Sequence, residues 1–348
     1  VSQTWPDLLT GLVTGHDLDP ADTAWAMNEI LAGAASPAQI AGFMVALQAK
    51  GVTPGELTGL VSGMLDNARP ISLPSTEAVD IVGTGGDRAN TVNVSTMAAI
   101  TAAAAGAKVV KHGNRAASSA CGTADCLEAL GVVLDLDPAV QAQVFDEVGI
   151  VFLFAAHYHP SLRHAAVARR ELGIRTVFNF LGPLANPARP SAQAIGVADP
   201  VMARNVADVV AGRGHRGLVF HGGDGLDELT TTTDSRVWVI ADGRSVETTL
   251  DPLDLGIQRA QKADLVGGDP AHNAQVARDA FAGNPGPVRD IVALNAAAAL
   301  LAFEGPDPDA PLAAQLQPRL ERAARALDDG AATDLLQRWV ATTQRVAR

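Results

Sequence analysis

The sequence predicts an α/β protein in two parts: a small helical domain over residues 1–70, and a larger domain over 71–348 whose central, mainly parallel sheet is flanked by helices. Three observations carry that expectation. The first 70 residues hold three helix starts of one design, each a capping residue followed by proline. From residue 77 onward short β-branched runs alternate with helical stretches, which makes βαβ units and therefore parallel strands. Late in the chain an Asp-Gly turn between two strand-like runs marks a hairpin.

The helix starts are Asp19-Pro20, Ser36-Pro37 and Thr53-Pro54, and Gln39 and Glu56 complete capping boxes for the last two. Ile40, Phe43, Met44 and Leu47 recur at i, i+3, i+4 and i+7, so one face of that helix is apolar. Gly33 and Gly51 stand where helices should stop. Such faces can pack on each other alone or also supply a subunit contact, and the pattern leaves both open.

The larger part opens with a strand at 79–82 that runs into Gly83-Thr84-Gly85-Gly86-Asp87, ahead of a helix at about 94–105. Glycines permit positive φ and close backbone approach, while Asn93, Ser95 and Thr96 can cap the helix and offer its free N–H groups to an anion. Taken bare, a glycine turn between strand and helix is more often a plain connection. The two common phosphate loops do not fit, because no Lys-Ser/Thr follows the last glycine and Arg88 stands where the dinucleotide fingerprint needs glycine. A second strand at 107–111 leads into Lys111-His112-Gly113-Asn114-Arg115-Ala116-Ala117-Ser118-Ser119, then a helix at 123–130 ended by Gly131. Parallel strands send both loops to one carboxyl edge, where α/β proteins bind ligands, and Lys111 and Arg115 bring cationic charge there.

An apolar run at 149–155 delivers His157 and His159, and a helix then carries Arg163, His164, Arg169 and Arg170. No carboxylate lies among these histidines and their spacing matches no standard zinc site, so no metal is expected there. The Gly-Pro and Asn-Pro pairs within 175–187 predict a rigid connection, with strands following at 194–197 and 217–221. Then comes Gly225-Leu226-Asp227-Glu228. Alone, the acidic pair reads as a solvated turn; in a site that holds phosphates it reads as magnesium ligands, since magnesium takes a few carboxylates together with water and phosphate oxygens. Runs at 237–240 and 246–250 form the hairpin around Asp242-Gly243, and the remainder is mainly helical, with the helix around Asn295 assigned to packing.

Composition narrows the function classes. With 47% hydrophobic and 18% charged residues a core is assured, and a net charge of −12 opposes general nucleic-acid binding. No apolar run approaches the length of a bilayer span. Cys121 and Cys126 cannot build a disulfide framework and are expected to pack as small apolar residues. With no signal-like segment ahead of Trp5, the expectation is a cytoplasmic protein.

Taken together and in this order, Gly83 to Asp87, Asn93-Val94-Ser95-Thr96, Lys111 to Arg115, Leu127 to Gly131, Phe178 to Pro183 and Gly225 to Glu228 resemble the anthranilate phosphoribosyltransferases along nearly the whole chain. The resemblance implies a nucleoside phosphorylase/phosphoribosyltransferase-like fold in which about 161–183 joins the helical domain, and a homodimer formed through that domain. It implies transfer of the phosphoribosyl group of phosphoribosyl pyrophosphate to the amine of anthranilate, in tryptophan biosynthesis, with Mg2+ as cofactor. By the same resemblance Gly83, Gly86, Asp87, Thr91, Asn93, Val94, Ser95, Thr96, Lys111, His112, Gly113, Asn114, Arg115, Ala116, Ala117, Ser118, Ser119 and Thr123 bind phosphoribosyl pyrophosphate. Gly83, Asn114 and Arg169 hold anthranilate, and Ser95, Asp227 and Glu228 hold the metal. Ala156 and Leu162 depart from the family's usual residues along the anthranilate channel. No acid or base is assigned, because an aromatic amine is already neutral near pH 7. Two other readings share the scaffold: a pyrimidine-nucleoside phosphorylase, against which the acidic pair counts, and a non-catalytic nucleic-acid-binding relative, against which the net charge counts.

Overall fold

The computed structural model describes residues 3–116 and 120–347. Four helices come first: α1 (Trp5–Val13), α2 (Pro20–Leu31), α3 (Pro37–Lys50) and α4 (Pro54–Asp66). The last three begin at the proline pairs. Both capping boxes close: Ser36 N donates to Gln39 Oε1 at 2.8 Å and Gln39 N to Ser36 Oγ at 3.3 Å. Thr53 N donates to Glu56 Oε2 at 2.8 Å and Glu56 N to Thr53 Oγ1 at 3.2 Å. Helix α1 is not expected from the sequence pattern; Thr4 caps it, and its proline sits one position later than in the others. Ile40, Phe43, Met44 and Leu47 are all buried.

The second part alternates as expected: β1 (Val79–Gly83), α5 (Val94–Ala104), β2 (Val109–Gly113), α6 (Thr123–Leu130), α7 (Pro138–Val148), β3 (Ile150–Phe154), α8 (Ala155–Tyr158) and α9 (Arg163–Leu172). Then follow α10 (Phe178–Leu184), β4 (Ala192–Gly196), α11 (Pro200–Gly212), β5 (Arg216–Gly222), β6 (Ser235–Ala241) and β7 (Arg244–Leu250). Four helices close the chain: α12 (Pro270–Phe281), α13 (Pro287–Glu304), α14 (Leu312–Asp328) and α15 (Ala331–Val346). The connection expected over 175–187 is in fact partly helical. Phe178, Phe180, Leu181 and Leu184 are buried, and Pro183 falls in the last turn, at the cost of one helix hydrogen bond.

The seven strands form one sheet in the order β3-β2-β1-β4-β5-β6-β7. The pairings from β3 through β5 are parallel and those of β6 are antiparallel, because helices carry the chain between the parallel strands whereas β5 runs to β6 through the helix-free loop 223–234 and β6 to β7 through the Asp242-Gly243 turn. Side chains alternate across the sheet. Val79, Ile81, Leu218, Phe220, Val237 and Val239 face α5, α6 and α12 to α15, while Val82, Ile195, Val219, Trp238 and Ile240 face α11 and the helical domain. Helix α9 packs against α2 and α3, and α10 against α4 and α11. No described helix is long and apolar enough to cross a membrane.

Candidate active site

The carboxyl ends of β1, β2 and β4 and the turn after β5 meet at one place. Gly83 ends β1 directly opposite Gly196 of β4. Thr84 N donates to Gly196 O at 3.0 Å, and Ala198 N donates to Thr84 Oγ1 at 3.1 Å, so the glycine loop is fastened to the end of β4. Beyond it Gly85 and Gly86 take φ of 69° and 79°, and the left-handed conformation recurs at Arg88 (62°) and Asn90 (51°). An asparagine tolerates it; at Arg88 it stores strain in a binding loop.

The acidic pair arrives from β5. Asp227 and Glu228 are only 9% and 8% exposed, so the solvated-turn reading fails. Asp227 Oδ2 accepts from Gly85 N at 2.7 Å. The approach is so close that a Cβ on Gly83 would lie 2.2 Å from Asp227 Oδ2, and one on Gly196 would lie 1.7 Å from Asp227 O. These two glycines are required by contact, not by torsion. Asn295 of α13 fixes the turn from behind: Leu229 N donates to its Oδ1 at 3.0 Å, and its Nδ2 donates to Leu229 O and Ile291 O at 2.9 Å each.

Charge is crowded here. Burial, and then the Asp87 carboxylate, push Asp227 up to about 7. Burial and then Asp227 raise Glu228 well above the usual carboxylate range, against the opposing pull of Lys111 and the Ser95 backbone N–H. Lys111 is itself buried, its Nζ donating to Ile81 O at 2.5 Å and Ser95 Oγ at 3.2 Å. Burial lowers its pKa, while Asp80, Glu228 and Asp227 hold it up. One ammonium thus faces more carboxylates than it can neutralise, and the donor set of Asp227, Glu228 and the Ser95 hydroxyl suits a hard divalent cation. Among the described residues no three His, Cys, Asp or Glu side chains form a ready cage, so a cation held here would need further oxygen ligands from outside the chain.

Beneath the loop, Asp80 Oδ1 accepts from His112 N at 3.1 Å and Oδ2 accepts from Asn186 Nδ2 at 2.8 Å. Burial raises Asp80 to about 6 and drives His112 down to about 3, which leaves that imidazole neutral. His112 Nδ1 lies 3.1 Å from Gly182 O, and His159 Nε2 lies 2.9 Å from Ala185 O. The histidines therefore tie β2 and the segment after α8 to α10.

Val94 and Thr96 lie buried in the first turn of α5, with Thr96 Oγ1 3.4 Å from Thr123 Oγ1. Thr91 pairs with Val266 in an isolated bridge, and Gly113 closes β2 against Phe152. Asn93 occupies the cap position of α5 without capping it: its Nδ2 donates to Cys121 O and its Oδ1 accepts from Asn273 Nδ2 at 2.8 Å, which leaves backbone N–H groups of the helix start to Glu228 and to a ligand. Asn114 is exposed, Ala116 N donates to Asp125 Oδ2 at 3.0 Å, and Ala117, Ser118 and Ser119 lie outside the described residues.

Arg115 does not supply free charge to the loop as expected. Its guanidinium bridges Asp125 at 2.9 Å and grips Glu128 through both nitrogens at 2.6 and 2.9 Å, because these acids sit one turn apart on α6 and face it. A cation that does lie against the glycine loop is Arg175, whose Nη2 would be 3.2 Å from a Cβ on Gly86. Nothing in the sequence marked it. Arg169 is half-buried on α9, 6.0 Å over the Phe178 ring, with burial lowering its pKa and no acid or acceptor paired with it among the described residues. Asn295 and Asp80 did carry a signal, each the lone polar residue in an apolar run.

Residues 6–68 match the glycosyl transferase family helical bundle domain, and 75–333 match the glycosyl transferase family a/b domain. The anthranilate phosphoribosyltransferase of Thermobifida fusca (strain YX) is 58% identical over 346 residues, 99% of each chain. This chain belongs to the anthranilate phosphoribosyltransferase family. The anthranilate phosphoribosyltransferase of Nocardioides sp. is likewise 58% identical, over 98% of this chain and 99% of its own. The crystal structure of anthranilate phosphoribosyltransferase from Thermus thermophilus superposes with a TM-score of 0.90 at 40% identity, covering 97% of this chain and 99% of that one. The Saccharomyces cerevisiae anthranilate phosphoribosyltransferase, solved in complex with PRPP and Mg, has a TM-score of 0.88 at 24% identity over 98% of each chain, a likeness of fold.

Proposed function

We propose that the protein transfers the phosphoribosyl group of 5-phosphoribosyl 1-pyrophosphate to the amine of anthranilate, releasing pyrophosphate, as a step of tryptophan biosynthesis in the cytoplasm. The observation that carries this is the buried Asp227–Glu228 pair held against the Gly85 N–H at the mouth of a glycine loop. Such a pair has no use in a plain turn. It suits a magnesium-bound pyrophosphate, with Ser95 and the two acids holding the cation.

The glycine loop and the start of α5 present backbone N–H groups to the phosphates, and Lys111 and Arg175 bring positive charge close to them. What magnesium supplies when bound is neutralisation of the charge on the departing pyrophosphate. Arg169, unpaired and desolvated, reads the anthranilate carboxylate, with Asn114 and the Gly83 backbone completing that subsite. The amine attacks the anomeric carbon as the bond to pyrophosphate breaks, and its proton leaves without a dedicated side-chain base. Catalysis is then positioning and electrostatics.

Residues 1–70 with about 161–183 form the helical domain in this reading, and 71–348 without that stretch form the α/β domain. A homodimer through the helical domain is supported by the exposed apolar side chains Val13, Val45 and Val167 on α1, α3 and α9. The reaction is tested by mixing protein, anthranilate, phosphoribosyl pyrophosphate and magnesium and following loss of anthranilate fluorescence. Absence of that loss, together with metal-free phosphorolysis of thymidine, would favour a nucleoside phosphorylase instead.

A further inference from the structure

A second cleft, of about 340 Å³, lies between α4 and the amino-terminal end of β4, away from the Gly196 end that meets Asp227. Thr58, Ser62 and Asp66 line it from the helical side, and Arg189, Gln193, Arg213 and His215 from the sheet side. Its electrostatics are unbalanced. Arg213 donates to Leu184 O at 2.8 Å, and among the described residues no carboxylate is paired with it. Burial, and then the neighbouring Arg189, push it down to about 10. Arg189 has only a loose contact with Asp66, 3.8 Å away, with both side chains more than half exposed. The backbone at Arg189 takes φ of 50°, a conformation a non-glycine residue adopts at a cost.

Among the described residues, two polar atoms in the same wall are buried without partners, His215 Nδ1 and Gln193 Oε1. Gln193 is 2% exposed, and its Nε2 is already engaged with Pro183 O at 3.2 Å. Buried polar groups are normally satisfied, and a buried guanidinium is normally paired. A group that suits this lining is an anion that accepts from two guanidiniums and also donates one hydrogen bond to an amide oxygen.

We propose that this cleft binds inorganic phosphate, held by Arg189 and Arg213 through its oxygens, with its P–O–H donating to Gln193 Oε1. Sulfate and carboxylates carry no such proton near pH 7, so the Gln193 acceptor selects against them. Because α4 belongs to the helical part and β4 to the sheet, the bound ion joins the two and stabilises their docking. The proposal stands independently of the reaction at the glycine loop.

Calorimetric titration with inorganic phosphate at constant ionic strength, on the full chain, tests it. A class of phosphate site in the cleft is expected, separate from any class at the glycine loop. Arg189→Gln, on the exposed rim, should weaken only the cleft class by tenfold or more, and Asp66→Asn should tighten it severalfold by removing a competing carboxylate. Sulfate should fill the cleft at least tenfold more weakly than phosphate. Crystals soaked in phosphate should show the ion between Arg189 and Arg213. Equal titrations for wild type and Arg189→Gln, no tightening in Asp66→Asn, sulfate binding as tightly as phosphate, or density at the glycine loop alone would each overturn it.

Discussion

Gly83→Ala isolates the contact on which the acidic site is built. The added methyl would stand 2.2 Å from Asp227 Oδ2 and 2.9 Å from its carboxyl carbon, whereas unstrained contact needs about 3.5 Å. Asp227 must withdraw by roughly 1 Å, which breaks its 2.7 Å bond from Gly85 N. Overpacking costs about 1–3 kcal/mol and loss of a charged hydrogen bond about 1.5–3 kcal/mol. Both arise from one displacement and do not add, so the expected loss of stability is about 3 kcal/mol. Turnover should fall on the order of a hundredfold, because the carboxylate proposed to hold the metal has moved by about 1 Å. The assay is a double-mutant cycle by urea unfolding: in an Asp227→Ala background the clashing carboxylate is gone, and Gly83→Ala should cost less than about 1 kcal/mol. Gly85→Ala serves as the contrast. Its Cβ meets nothing within 4 Å, and its penalty of about 1 kcal/mol comes from φ of 69° and should be equal in both backgrounds. If Gly83→Ala is equally destabilising with and without the Asp227 carboxylate, the close-approach argument is wrong.

Arg169→Ala should raise the anthranilate KM tenfold or more, in line with the roughly 1.5–3 kcal/mol of a charged hydrogen bond, and leave the phosphoribosyl pyrophosphate KM within a few-fold. Activity on aniline, which lacks the carboxylate, should be the same in mutant and wild type; a matching loss there would mean that Arg169 holds the site together. Replacing Asp227 and Glu228 together by alanine should abolish turnover with the fold intact, and a wild-type rate at limiting magnesium would refute their role. Asp80 supplies a pH signature. Its folded pKa of about 6 exceeds the ordinary 3.8, so the folded state binds this proton more tightly than the unfolded state does. As pH rises from about 4 to about 6 this group alone removes about 3 kcal/mol of stability, with no further loss above. Asp80→Asn should flatten that slope in urea titrations, and an unchanged slope would count against it. Sedimentation at micromolar concentration should give twice the 35.8 kDa chain mass, and a monomer there would refute the dimer.

The features legible in the sequence are those whose chemistry is local. Proline after a capping residue announces α2, α3 and α4, because cap and first turn lie within four residues. Alternating β-branched runs and helices imply parallel strands, and parallel strands oblige the loops after β1 and β2 to share an edge, which is why the glycine loop and Lys111 could be placed together. The acidic pair was visible as a pair. Its burial was not, since it depends on Gly83, Gly196 and Asn295 closing around it from three distant parts of the chain. Arg115 shows the opposite failure. By sequence it is a free cation in a binding loop, but α6 happens to present Asp125 and Glu128 to it, while Arg175 takes the place beside Gly86. A charge in sequence declares only its sign. Which partner neutralises it, and which group is left desolvated and unpaired, is settled by how the elements pack, because Coulomb energies depend on separation and burial and not on position along the chain.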